Sequence, residues 1–519
     1  MTARTVATLT TLTTTTTLTT LLAACSLQPR VVQTATEPVV LDAGSMEAGG
    51  APARSGAGGV ARAGAGAGGS AAGMGGSAAD SCPVSLAARL SVTNVDLDSD
   101  VSYKRAGIQG FPLDDRIAFT PAPDGTAYVA WSDADVPNTV HVTPLTAALT
   151  RAGDDTLVDG TDVGGIAARE DGFALLTVQP DPGQRLAFTP GSRDSGLAIM
   201  LVRYRAGREM FSVPLTGTAS VTAKNDPNAR DCSPGYLYSR LAWNGAKYGA
   251  YFMTHACEGD PHVLPSSDAR AMWNNGDKLV YVDDTGAGLR GGRNWICSQD
   301  QGLRMWPGPD VFTPVCLADL TPAMGLNVVM EDQPPVLLSA EAAGPNWCSG
   351  QLGSVIGFPD GTFAIGFLSR DVGATPDVPA RPTPDIALLR LDTDRALIAP
   401  KRWLVETPAI AETNLHLAPY GAARILMTWD SIENPTCNAQ VCFGSYGGTY
   451  ARLIDRDGNQ LTEDTMIRTV PNTGDDMSVL PNGDVAWAYV ADSTRDYQPL
   501  SASKPAKSRI SIARLRYCE

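Results

Sequence analysis

Side chains able to do acid, base or electrostatic chemistry are sparse in this chain, and their placement is informative. There are 4 histidines in 519 residues, at 141, 255, 262 and 416. None belongs to a His-Glu-x-x-His pair, and no Gly-x-Ser-x-Gly turn or Walker loop accompanies them. No Cys-x-x-Cys occurs, so the sequence offers neither a metal centre nor a cofactor cradle. What remains is a set of strand-end side chains: Asp133, His255, Asp319, Arg370, Asp430 and Asp492 each close an apolar or aromatic run. Carboxylates gathered around one opening can hold a cation or a polar ligand, or serve as general acid and base on a glycosidic bond. The plainer use of charge at a strand end is to face water and stop edge pairing. Trp273 and Trp347 fall in nearby loops, where an exposed indole stacks on a sugar or anchors a protein.

Such residues act together only if a scaffold gathers distant strand ends, and the sequence repeats in a way that does so. A short apolar strand, a Gly turn and a longer apolar strand recur from about residue 115. Arg116 to Phe119 precedes Asp124-Gly125, Arg240 to Trp243 precedes Asn244-Gly245, and Val355 to Phe358 precedes Asp360-Gly361. Similar phrases surround Gly172, Gly308, Gly421 and Gly483. Asp-Gly and Asn-Gly provide the positive φ that two-residue hairpin turns require. A third strand follows each hairpin, and several copies turn into a fourth at Asp-x-x-Gly, as at Asp283 to Gly286 and Asp455 to Gly458. Seven four-stranded antiparallel units read as an all-β, seven-bladed β-propeller. A β-solenoid or two stacked sandwiches are the alternatives. The seventh unit lacks a fourth strand, and Cys82 to Val95 can supply it. That would bring Cys82 beside Cys518, where a disulfide replaces the missing turn.

The other cysteines fit strand ends. Cys232 with Cys257 and Cys297 with Cys316 flank hairpins in the third and fourth units, and Cys437 with Cys442 can close a small loop. Cys348 is left over, and pairing with one of the last two is an alternative. Two acidic runs, Asp96-x-Asp98-x-Asp100 and Asp455-x-Asp457-Gly458, lack the Gly and Glu spacing of a calcium-binding EF-hand loop. They read as polar turns. With Lys+Arg 40 against Asp+Glu 55, the net charge of −15 argues against binding to a nucleic-acid backbone. Gly 52 and Pro 37 suit a turn-rich β protein.

The first 24 residues hold Arg4, a Thr-rich middle and then Leu22-Ala23-Ala24-Cys25. That ending resembles the lipobox of bacterial lipoproteins, in which the signal is cut before a cysteine that becomes acylated. The resemblance implies residues 1–24 as signal peptide and Cys25 as the lipidation site. Residues 25–80 contain no aromatic side chain and are dense in Gly and Ala, so they read as a disordered tether. Residues 81–519 form the propeller. Lipobox, tether and hairpin repeats together resemble bacterial lipoproteins with a seven-bladed β-propeller domain. This implies a cell-envelope location, anchored to the outer membrane by the N-terminal lipid. From the charge and the absence of motifs, no cofactor and no nucleic-acid partner are expected. The expected role is a binding module for a protein or glycan, and the alternative is a polysaccharide-acting hydrolase or lyase.

Overall fold

The computed structural model describes residues 82, 85–102, 105–106, 113–114, 116–183, 196–217, 219–221, 231–232, 239–256, 275–293, 303–308, 312–318, 325–328, 336–344, 347–348, 350–370, 381–437, 442–490 and 507–518. The expected signal peptide, Cys25 and the 25–80 tether lie outside them. The propeller occupies the unit Ser77–Glu519.

Seven four-stranded antiparallel sheets follow one another along the chain. Blade 1 is Ala118–Pro121, Ala127–Ser132, Thr139–Leu145 and Thr156–Asp159. Blade 2 is Gly165–Arg169, Gly172–Pro180, Leu197–Arg205 and Arg208–Pro214. Blade 3 is Ser239–Trp243, Tyr248–Ala256, Asn275–Val282 and Gly288–Arg293, with Asp231–Cys232 added beside its second strand. Blade 4 is Leu303–Pro307, Phe312–Ala318, Gly325–Val328 and Val336–Ala340. Blade 5 is Gln351–Gly357, Phe363–Ser369, Asp385–Leu391 and Arg402–Val405. Blade 6 is Ile410–Tyr420, Arg424–Cys437, Cys442–Asp455 and Thr465–Ile467. Blade 7 joins Ser478–Val479, Val485–Tyr489 and Lys507–Leu515 to Leu90–Val101 from the other end of the chain.

The continuous apolar runs of the second strands have a direct cause. Alternate side chains of a strand point to opposite faces, and here both faces are covered by a neighbouring blade. In blade 2, Phe173 and Leu175 pack on blade 1, while Ala174, Leu176 and Val178 pack on blade 3. In blade 7, Val485 and Trp487 face blade 6 and Ala486 and Ala488 face blade 1. The same division fills a core between every successive pair of blades, and the core between blades 7 and 1 closes the circuit. Burying one Val, Leu, Ile or Phe side chain is worth roughly 1.5–3 kcal/mol. A lone blade has no such core, so the seams hold the ring.

The turns differ from the expected two-residue form at several blades. Ala122 donates its N–H to Thr126 and accepts one from Gly125, and Phe358 and Leu480 repeat the pattern with Thr362 and Gly361, and with Asp484 and Gly483. This is a three-residue loop, a type I turn followed by a left-handed residue. Gly125, Gly361 and Gly483 take φ of 88°, 82° and 87° at that position. Leu149 and Arg395 occupy the same place in later turns, at 62° and 65°. The physical requirement is therefore one left-handed residue per turn, which Gly meets at least cost but does not monopolise.

Closure follows the expected plan with one local change. Leu90–Val101 pairs antiparallel with Lys507–Leu515, Leu90 opposite Leu515. Residues 86–89, expected as strand, form a single helical turn instead: Ser85 caps it by accepting the N–H of Ala88, and Leu86 is buried. Cys82 and Cys518 are disulfide-bonded, with Cα atoms 6.0 Å apart and a sequence separation of 436. On the chain-entropy account a loop of that length is worth about 6 kcal/mol. Cys437–Cys442 is also formed, with Cα atoms 4.0 Å apart. It caps an extension of the second and third strands of blade 6, a hairpin with a small core of its own around Ala411 and Ile432. Cys316 is disulfide-bonded; Cys257 and Cys297 lie outside the described residues, and Cys232 and Cys348 are described in backbone alone.

Candidate functional site

Each first strand touches the first strand of the next blade, all the way around the ring, so these strands wall the central channel. Antiparallel pairing puts the start of a first strand beside the end of the second, as with Ala118 opposite Ala130 and Thr413 opposite Asp430. The face expected to carry the site from its second-strand ends is therefore also the face where first strands begin. At that mouth the channel wall changes from apolar to charged.

Arg116 of blade 1, Arg240 of blade 3 and Arg304 of blade 4 meet Asp475 and Asp476, which lead into blade 7. All three arginines are buried. Arg116 Nη2 lies 2.8 Å from Asp475 Oδ1, and Arg116 Nη1 donates to the carbonyl of Ser239 at 2.6 Å. The other oxygen of Asp475 accepts the backbone N–H of Phe119 at 2.9 Å. Asp476 bridges the remaining pair, with Arg240 Nε at 2.7 Å from Oδ2 and Arg304 Nε at 2.9 Å from Oδ1. Burial pushes the Asp476 carboxyl up, but Arg240, Arg304 and Arg116 outweigh it and hold it at about 2. Burial and the adjacent Arg304 bring Arg240 down to about 9, so it remains charged at neutral pH. Three guanidiniums thus face two carboxylates among the described residues.

A polar chain from blade 6 reaches the same place. His416 Nε2 is 3.0 Å from Asn414 Oδ1, Asn414 Nδ2 donates to Asp430 Oδ2 at 3.0 Å, and Thr449 Oγ1 donates to Asp430 Oδ1 at 2.5 Å. Asn414 sits in a bulge of the first strand with φ of 50°, a left-handed conformation that strands rarely contain. The bulge turns the carboxamide inward, where it links Asp430 to His416.

The expected strand-end residues divide accordingly. Asp430 joins the mouth through Asn414. Asp133 belongs to the closing seam instead: it accepts from Ser99 Oγ and His141 Nε2, each at 2.9 Å, and from the N–H groups of Asp135 and Val136. Arg370 is half-buried and donates to the carbonyls of Arg381 and Pro382, shaping the base of its loop. His255 pairs in backbone with Cys232 and Asn275, and Trp347 with Gly344; the side chains of both lie outside the described residues, as do Asp319, Asp492 and Trp273. The three arginines were missed at the sequence level. Their signal was a charge inside an otherwise apolar first strand, at Arg116-Ile-Ala-Phe, Arg240-Leu-Ala-Trp and Arg304-Met-Trp. Of the two acidic runs, Asp455 is a turn residue accepting from Asp457 and Asn459, and Asp96 to Asp100 lie in the closing strand.

No protein-family model matches the chain, and no curated protein matches it. Solved structures resemble it in shape. Hydrazine synthase from Kuenenia stuttgartiensis is 12% identical, aligns over 75% of this chain and 100% of its own, and gives a TM-score of 0.40. The α-L-arabinanase of Penicillium chrysogenum is 11% identical over 81% of this chain and 98% of its own, at 0.35. The Dos1 propeller is 9% identical over 81% and 83%, at 0.39. Likeness at this level carries no argument about ligand or chemistry, and the strand pairing above establishes the fold by itself.

Proposed function

We propose that this chain is a lipid-anchored binding module of the bacterial cell envelope. Cys25 holds it to the outer membrane, residues 25–80 act as tether, and the propeller engages a glycan or a protein at the channel mouth. The supporting observation is convergence: charged side chains from blades 1, 3, 4, 6 and 7 meet at one opening of a rigid ring. The neighbouring hairpin of blade 6, capped by Cys437–Cys442, offers a wall for a partner on the same face.

One observation favours the second reading, a polysaccharide-acting hydrolase or lyase. Burial, and then the charge of Asp385, push the Glu412 carboxyl up to about 8. A protonated carboxyl beside a carboxylate is the pairing that glycoside hydrolysis uses. Both groups are buried, Glu412 at 1% and Asp385 at 5% exposure, which leaves a sugar no approach and ranks binding first. The test is a glycan and envelope-protein binding screen on the full chain, run beside hydrolysis assays on the same panel. Retention of a ligand without turnover, weakened at least tenfold by Arg304→Met, is the expected result. Turnover that disappears in Glu412→Gln would overturn the non-enzymatic reading. Cys25→Ser should release the protein from the membrane fraction.

A further inference from the structure

We propose that the channel mouth is an anion-binding site centred on the guanidiniums of Arg240 and Arg304, taking a carboxylate or a small oxyanion. The argument is one of charge and hydrogen-bond capacity. Asp475 is saturated: Arg116 occupies one oxygen and the Phe119 N–H the other. Asp476 Oδ2 accepts from Arg240 Nε, while Oδ1 lies 2.9 Å from Arg304 Nε and is held by charge alone, because that N–H donates to the carbonyl of Gly353 at 2.5 Å. Arg240 Nη1 donates to the carbonyl of Ser239 at 2.8 Å, and Arg304 Nη1 to that of Leu303 at 3.1 Å. Arg240 Nη2 remains, a buried donor with no acceptor.

A buried donor on a charged group is expensive to leave unmatched, and a guanidinium cannot relieve the cost by losing its proton at neutral pH. Among the described residues, the three guanidiniums contact two carboxylates, Asp475 and Asp476, and the third carboxylate of the mouth, Asp430, stands behind Asn414 with its oxygens taken by Asn414 and Thr449. His416, linked to Asp430 through Asn414, lowers the Asp476 carboxyl and so adds positive rather than negative charge when protonated. The missing partner is an anion with an oxygen able to accept from Arg240 Nη2 while sharing the field of Arg304. A carboxylate, sulfate or phosphate oxygen fits that description.

The same chemistry can come from a free ion or from a carboxylate displayed on an acidic glycan, and only the second source depends on the binding-module reading. Full-length protein would be titrated with acetate and with sulfate, at ionic strength held constant with a bulky organic sulfonate, while its thermal midpoint is followed. A single saturable rise is expected, and Arg240→Met should weaken the apparent affinity at least tenfold. Crystals of the unsubstituted protein soaked in bromide should show an anomalous peak within hydrogen-bond reach of Arg240 Nη2, a readout that does not depend on the variant folding. Bromide at surface arginines with none at the mouth, a midpoint indifferent to both anions, or an unchanged response in Arg240→Met would each overturn the proposal. A hexasaccharide of alternating glucuronate and N-acetylglucosamine, compared with neutral N-acetylglucosamine hexamer, separates the sources. Competition between the acidic sugar and acetate supports the proposal with a displayed carboxylate as occupant. Acetate binding without sugar binding supports a free-ion site and counts against an acidic glycan as ligand.

Discussion

Two charge networks are built into the propeller, and they balance themselves by different means. At the seam between the closing strand and blade 1, the two buried carboxylates, Asp133 and Asp155, meet Arg151 and His141, and the exposed Asp98 touches Arg151 from outside. His141 Nε2 lies 2.9 Å from Asp133 and Nδ1 lies 3.0 Å from Asp155. Ionised carboxylates only accept, so both ring nitrogens must donate and the imidazole is doubly protonated. Burial alone would lower its pKa; the hydrogen bonds it donates to Asp155 and Asp133 reverse the sign and raise it. Trp131 stacks on the ring with centroids 4.1 Å apart, which fixes its plane. At the mouth three arginines share direct contact with two carboxylates, and they hold their protons throughout the physiological range. A network with an acidic excess can recruit a proton through histidine. A network with an arginine excess needs an anion from elsewhere. The seam is therefore complete within the protein, and the mouth is completed by what it binds.

The sharpest way to break this contrast is to enlarge the imbalance at the mouth. Asp476→Ala leaves three arginines against one carboxylate, and breaking a buried ionic network of this kind costs about 3–5 kcal/mol. The denaturant midpoint should fall accordingly, and acetate should restore more of it than in the unsubstituted protein. If acetate helps both equally, the mouth does not respond to anions. At the seam, His141→Gln should cost about 2–3 kcal/mol near pH 6 by leaving one carboxylate without its donor. The pKa of His141 is higher folded than unfolded. Its contribution is thus fully present below the unfolded value and is lost as pH rises through the folded one. The deficit of the variant should accordingly shrink on the alkaline side. A deficit that is flat with pH would mean that the imidazole is neutral and the seam is not balanced by a proton.

The contrast between seam and mouth also shows what a sequence can and cannot convey here. Blade number, the closing strand and the pairing of Cys82 with Cys518 were legible, because turn spacing and strand period are local and repeat. The mouth was not legible as a site. Arg116, Arg240 and Arg304 stand in three different repeats, and only closure of the ring brings them to Asp475 and Asp476. Asp133 and Asp430 look equivalent as strand ends, yet one is drawn to the seam by Ser99 and the other to the mouth by Asn414. Ser99 lies on the closing strand, which pairs with the last strand of the chain, and the left-handed bulge at Asn414 leaves no pattern in an apolar strand. Ring closure makes these differences, and it acts across the whole length of the chain.

The smallest effect belongs to the outer end of the seam, and it tests whether burial rather than charge count decides the comparison. Arg151 reaches Asp98 at 2.5 Å and Asp155 at 3.1 Å, but the side chain of Asp98 is 78% exposed against 5% for Asp155. Arg151 holds the Asp98 carboxyl below the usual carboxylate range, first by a hydrogen bond and then by its charge. Water and salt screen such a pair, and the contribution of exposed ion pairs to stability is small. Asp98→Asn should leave the thermal midpoint at low salt almost unmoved, and what little change there is should vanish when salt is raised. Asp155→Asn removes the same formal charge from the same arginine, but from the buried end where His141 also depends on it. Its loss should persist at high salt. Equal effects of the two substitutions would mean that counting charges suffices, and the inference that buried arginines at the mouth demand a partner would lose its physical basis.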